Sequence, residues 1–207
     1  MKIHLFIIVL FVIFSGLSSL ALASGQSSPM LNGTVQSSNM TGAPQSGNVT
    51  GASGNVTGAS GNITGASRTG NITGASGNVT GASQSSNITG TSQRDNLIGT
   101  PGDDFISGGA GFDNITGNQG NDEIDGGDGG DKLAGGVGDD VIFGGIGNDN
   151  ISGADGKDDL YGGPGADYLD GGRGADYFDC GTSTDTIANL NISEGDISLA
   201  NCEKMSR

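Results

Sequence analysis

No tryptophan occurs in this chain, histidine occurs once, and no aspartate or glutamate stands before position 95. The single histidine, His4, lies in an N-terminal segment that reads as removable, and without it the chain has no imidazole. That excludes histidine-dependent catalysis and any imidazole metal site, so a bound metal would be held by oxygen. Basic residues are scarce too, 8 against 23 acidic ones. Nucleic acids and anionic lipids need basic patches, which leaves cations as the natural ligands. Only one long apolar run exists, residues 5–14, so no second membrane-spanning helix is expected.

The first 23 residues have the make-up of an export signal. Lys2 and His4 precede the ten apolar residues 5–14, and Ala21-Leu22-Ala23 fits a small-x-small cleavage site. Retention as an anchor through residues 3–23 is the alternative, and the serine and glycine breaks at 15–19 favour cleavage. No cysteine follows the apolar run, which argues against a lipoprotein. The expected product is secreted, extracellular and soluble, with a cell-surface association left open.

Residues 24–92 are a low-complexity stretch of Gly, Ser, Thr, Asn and Ala that repeats units such as Gly-Asn-Val-Thr-Gly-Ala-Ser. Its apolar content is too low to offset backbone entropy, so a disordered linker is expected. Asn-x-Ser/Thr sequons begin at Asn32, Asn39, Asn48, Asn55, Asn62, Asn71, Asn78 and Asn87, with others at Asn114, Asn150 and Asn191. In an exported chain this density reads as a glycosylated stalk, with a bare linker as the alternative.

All 23 acidic residues and six of the eight basic ones lie from Arg94 onward, so that part carries −17 of a whole-chain charge of −15. Such self-repulsion opposes compaction unless counter-ions bind. The acids are ordered. Residues 99–179 are nine contiguous nonapeptides with Gly at positions one and four, Asp at six and a large apolar residue at eight. The aspartates are Asp104, Asp113, Asp122, Asp131, Asp140, Asp149, Asp158, Asp167 and Asp176, and the apolar series runs from Ile106 to Phe178.

Glycine suits a tight turn that needs positive φ and close backbone approach. The x-U-x triplet after the aspartate is one short strand whose middle residue points inward. Two nonapeptides then make one 18-residue coil of a parallel β-helix, and aspartates two repeats apart stack ~4.8 Å from each other. Carboxylates that close repel, and a hard divalent cation between them removes the repulsion. Ca²⁺ fits better than Mg²⁺ because it accepts six to eight oxygens in irregular geometry. Backbone carbonyls complete the shell. The candidates are Gly99, Gly102, Gly108, Gly109, Gly111, Gly117, Gly120, Gly126, Gly127, Gly129, Gly135, Gly136 and Gly138. They continue through Gly144, Gly145, Gly147, Gly153, Gly156, Gly162, Gly163, Gly165, Gly171, Gly172 and Gly174. Nine turns stacked in two files give four pairs among odd repeats and three among even ones, about seven Ca²⁺ sites.

The pattern resembles the hemolysin-type calcium-binding nonapeptide, the RTX repeat, of consensus GGxGxDxUx. It holds in register over residues 99–179, with degenerate flanking copies at Asp95-x-Leu97 and Asp185-x-Ile187. Departures are Thr100, Asn118 and Ala154 at position two, and Phe112 and Lys157 at position five. The resemblance implies an all-β, right-handed parallel β-roll that is disordered without Ca²⁺ and folds on binding it. Its expected bounds are 93–188, followed by a cap over 189–207. An EF-hand is excluded because no Asp-x-Asp-x-Asp-Gly loop occurs.

The outward positions differ between faces. Odd repeats present Phe105, Glu123, Asp125, Val141, Phe143, Tyr161 and Tyr177, and even repeats Asn114, Thr116, Lys132, Ala134, Asn150, Ser152, Tyr168 and Asp170. Val141, Phe143 and Tyr161 make an apolar patch for a cell-surface or matrix partner, unless the aromatics serve only strand formation. Cys180 stands where a tenth repeat would begin, and Cys202 is the only other cysteine. In an exported chain they are expected to pair, closing Ile187, Leu190, Ile192, Ile197 and Leu199 over the end of the roll. No catalytic motif appears, so the expected function is non-enzymatic calcium binding. An accessory module related to secreted hydrolases or toxins is the alternative.

Overall fold

The computed structural model describes residues 86–202, the strand Lys204–Ser206 and eight short strands between residues 33 and 80. The expected signal at 1–23 and the sequons at Asn32, Asn39, Asn48, Asn55 and Asn62 lie outside the described residues. No helix occurs among the described residues; the chain is a solenoid of parallel strands.

Successive nonapeptides alternate between two sheets. Asn114–Gln119 pairs with Asn96–Ile98 and with Lys132–Val137, so Ile115 sits between Leu97 and Leu133. On the other sheet Phe105–Gly111 pairs with Asn87–Thr89 and Glu123–Gly129. The offset is 18 residues, as the repeat period requires. Within each strand the first residue faces outward and the second inward, because side chains alternate across a pleated strand. The inward residues form one narrow core in which Leu97, Ile106, Ile115, Ile124, Leu133, Ile142, Ile151, Leu160, Leu169, Phe178 and Ile187 are 0–1 % exposed.

The stack begins before residue 93, which corrects the expected border of the linker. Asn87–Thr89 pairs with Asn71–Thr73, and Ile88 and Ile72 are buried in the core. Asn78–Thr80 pairs with Asn96–Ile98 in the other sheet. Further back the coil shortens: Val79 lies beside Ile63, and Ile63 beside Val49. These shorter units still place one Val or Ile per strand, at steps of seven or nine residues.

Cys180 and Cys202 form a disulfide with Cα atoms 5.2 Å apart. Ile187 is in the core and Leu190 packs on it, as expected of the cap. Ile192, Ile197 and Leu199 do not cover the end; they are exposed. The 189–207 segment instead adds strands to both sheets. Ile197–Ser198 pairs with Tyr177–Asp179, and Lys204–Ser206 with Thr186–Ala188. Ser198 takes the place beside Phe178, which leaves Ile197 facing outward.

Candidate metal centre

The turns explain how the aspartates reach the interior. Position-two residues Gly109, Asn118, Gly127, Gly136, Gly145, Ala154, Gly163, Gly172 and Gly181 all have φ between 86 and 124°. That left-handed backbone is cheap for glycine and tolerable for asparagine. It tightens the turn so that the aspartate at position six points inward beneath it. All nine predicted aspartates are buried, at most 4 % exposed.

They form two files, one per edge of the roll, and each carboxylate uses its two oxygens differently. Oδ1 accepts the backbone N–H of the aspartate one coil earlier. Asp113 N–H donates to Asp131 Oδ1 at 2.7 Å, Asp122 N–H to Asp140 Oδ1 at 2.8 Å, and Asp158 N–H to Asp176 Oδ1 at 3.0 Å. Oδ2 is buried without a hydrogen-bond partner in Asp113, Asp122, Asp131, Asp140, Asp149, Asp158, Asp167, Asp176 and Asp185. A carboxylate oxygen removed from water with no donor is costly, and a repeated array of them marks where a cation fits.

Burial pushes the carboxyls of Asp113, Asp140, Asp149 and Asp167 up to about 6, and those of Asp122 and Asp158 up to about 7. The backbone donor on Oδ1 pulls the other way, and neighbouring carboxylates add to the rise. Burial likewise raises Asp131 and Asp176.

Main-chain oxygens converge on the same places. A Cβ at Gly108 would come within 2.5 Å of the Gly126 carbonyl oxygen and 2.6 Å of Asp113 Oδ2. At Gly144 the same atoms are the Gly162 carbonyl oxygen at 2.5 Å and Asp149 Oδ2 at 2.6 Å. Position one must therefore be glycine, since the space beside Oδ2 is shared with the carbonyl of the next coil. At Gly162 that carbonyl belongs to Cys180, which does the work of a position-one glycine. The position-two carbonyl of Gly163 is engaged differently, accepting the Thr182 N–H at 2.9 Å.

Among the described residues no three His, Cys, Asp or Glu side chains cluster as a metal site. One carboxylate per turn meeting main-chain carbonyls is instead an all-oxygen donor set, which suits a hard cation such as Ca²⁺. The residues present fit that ion.

Three site residues escaped the sequence reading. Asp196 closes the odd file, taking the Asp176 N–H on Oδ1 at 3.1 Å and the Asn191 N–H on Oδ2 at 2.6 Å. It sits 20 residues after Asp176, and Ser198 replaces the apolar residue expected two positions on, so neither period nor pattern marks it. The other two are Thr91 and Thr100. Thr91 donates from both N–H and Oγ1 to Asp95 Oδ2, and Thr100 donates from N–H and Oγ1 to Asp104.

On the odd face Phe143 and Tyr161 stack with ring centroids 4.8 Å apart, and Tyr177 tilts against Tyr161 at 5.9 Å. Val141 is half-buried beside them. Sequon residues Asn87, Asn114 and Asn150 are exposed on strands, and Asn191 is half-buried in the cap. Asn71 and Asn78 begin strands of the stack.

Four copies of the RTX calcium-binding nonapeptide repeat match residues 89–124, 98–133, 125–160 and 152–187. Comparison with curated proteins and with solved structures returns no match. The spacing, the two carboxylate files and this match agree: over residues 89–187 the chain carries RTX calcium-binding nonapeptide repeats.

Proposed function

We propose that this is a secreted, non-enzymatic calcium-binding protein whose roll is completed by ions held along its two carboxylate files. The observation that carries the reading is the row of nine buried Oδ2 atoms without a donor, repeated once per turn. Asp113, Asp122, Asp131, Asp140, Asp149, Asp158 and Asp167 would hold the ions. Position-one carbonyls from Gly126, Gly135, Gly144, Gly153, Gly162, Gly171 and Cys180 would assist them. Bound Ca²⁺ would supply the positive charge that these oxygens lack. Each aspartate touches two coils, through Oδ1 to the coil before and beside the carbonyl of the coil after, so ordering one turn favours the next.

Extracellular calcium modules bind at about 10⁻⁴ to 10⁻³ M, which would keep the roll folded outside cells. The Cys180–Cys202 disulfide and the acidic surface fit that compartment. In the same reading the exposed sequons carry N-glycans, and the odd face around Val141, Phe143 and Tyr161 meets a cell-surface or matrix partner.

Circular dichroism during a Ca²⁺ titration, with Mg²⁺ as control, tests the central point. Gain of β signal with Ca²⁺ alone is expected. A spectrum equally ordered in chelator would overturn it.

A further inference from the structure

The two carboxylates nearest the N-terminal end of the array are treated differently from the rest. Asp104 has no partnerless oxygen: Oδ1 accepts the Ser86 N–H, Oδ2 accepts the Thr100 N–H, and Thr100 Oγ1 lies 3.0 Å from both. Asp95 Oδ2 accepts the Thr91 N–H at 2.7 Å and the Thr91 hydroxyl at 2.9 Å, while its Oδ1 is buried without a partner among the described residues. From Asp113 to Asp185 the equivalent oxygen has no donor.

Local backbone explains the difference. Thr91 and Thr100 both occupy position two of their repeats, directly after Gly90 and Gly99. From 109 to 181 position two has positive φ without exception, but neither threonine does. A β-branched residue is poorly tolerated in the left-handed region, so these two turns take another path. That path brings the amide and hydroxyl of position two onto the carboxylate of position six.

We infer that Thr91 and Thr100 stand in for the ion at Asp95 and Asp104 and so end the calcium ladder on its N-terminal side. This rests on the calcium reading above and gives the reason that its sites differ from the set expected from the repeat period alone. The pair formed by Asp104 and Asp122 drops out. The pair formed by Asp167 and Asp185 enters, with the Cys180 carbonyl in place of a glycine carbonyl. Seven sites remain, displaced by one step toward the C-terminus. The coils before residue 108 complete the carboxylate of Asp104 with protein donors alone.

Calcium stoichiometry of the full chain, counted by native mass spectrometry and by calorimetry, tests this directly. Thr100→Gly restores the Gly-Gly turn and frees Asp104 Oδ2, so one further ion should bind. Thr91→Gly combined with Thr100→Gly should add two. Thr100→Val keeps the β-branch and the amide donor and should leave the count at that of the unaltered chain. A count that stays unchanged in Thr100→Gly, or rises equally in Thr100→Val, would overturn the inference. Asp122→Asn serves as the reference: its count should fall. If it does not fall, or if the unaltered chain binds no Ca²⁺, the calcium reading of the buried files is itself wrong.

Discussion

The backbone N–H of Asp122 donates to Oδ1 of Asp140, 2.8 Å away and one coil later, while Oδ2 of Asp140 is buried with no partner. The contact recurs along both files. It gives each aspartate a structural half, the oxygen that ties two coils, and a partnerless half, the oxygen proposed above as the ligand. The two halves respond in opposite ways to the experiments that follow.

Asp140→Asn should separate them. An amide has no charge to bury, so the chelated protein should gain stability, by about 1–3 kcal/mol. The same change removes a ligand in mid-file, so the rise in melting temperature produced by Ca²⁺ should shrink. Thermal melts with Ca²⁺ and with chelator read both effects, and an undiminished calcium shift would contradict the ligand role.

In chelator, acid should favour the roll. Burial lifts the carboxyls of Asp113, Asp122, Asp140 and Asp158 from 3.8 to about 6 or 7. A carboxyl raised on folding contributes stability that is full below its unfolded value and is lost as pH rises through its folded value. The window therefore runs from about pH 4 to about pH 7. Dichroism of the calcium-free protein should show more β structure at pH 4.5 than at pH 8. With Ca²⁺ the trend should reverse, because protons compete with the ion for the same oxygens. Less order in acid than at pH 8, in chelator, would rule out the buried-carboxyl account.

Gly108→Ala and Ala154→Gly should act in opposite directions. A methyl at 108 would press against the Gly126 carbonyl and Asp113 Oδ2. Overpacking of this kind costs roughly 1–3 kcal/mol and should also weaken binding at Asp113. Ala154 already stands at φ 86°, where an L side chain is strained by about 1–2 kcal/mol, part of which glycine returns as unfolded-state entropy. Denaturant unfolding in saturating Ca²⁺ should show a loss for the first and a gain of roughly 0.5–1 kcal/mol for the second.

Reduction of Cys180–Cys202, or Cys202→Ser, should destabilise the last coils. The bridge spans 22 residues, and closing a loop of that length stabilises by roughly 3 kcal/mol. Hydrogen exchange should rise at Tyr177–Asp179 and Thr186–Ala188 before it rises at Asn114–Gln119. Uniform acceleration along the whole roll would mean the bridge is not a local clamp.

Phe143→Asp places a charge in the stack with Tyr161. If the odd face meets a surface partner, retention on cells should drop several-fold while calcium stoichiometry stays the same. Undiminished retention would leave the aromatic row with a purely strand-supporting role.

The period by itself determined a great deal. Gly at one and four, Asp at six and an apolar residue at eight dictate an 18-residue coil, strand pairing two repeats apart, an inward file from Ile106 to Phe178 and oxygen as the only metal-binding chemistry. These follow from local geometry repeated without interruption, so they are legible in a single unit. How each carboxylate divides its oxygens was decided by tertiary structure, since Oδ1 of Asp140 is satisfied by a residue 18 positions away. The ends were decided there too. Thr100 reads as a mild departure and Thr91 as part of the linker, yet both give their own donors to a buried carboxylate. Asp196 reads as an ordinary loop residue, yet it closes the odd file. The heptapeptides before residue 93 read as linker, yet Ile72 and Ile88 continue the core. A repeat specifies its own interior, but an end has a neighbour on one side only, and what satisfies it depends on which coil is stacked there.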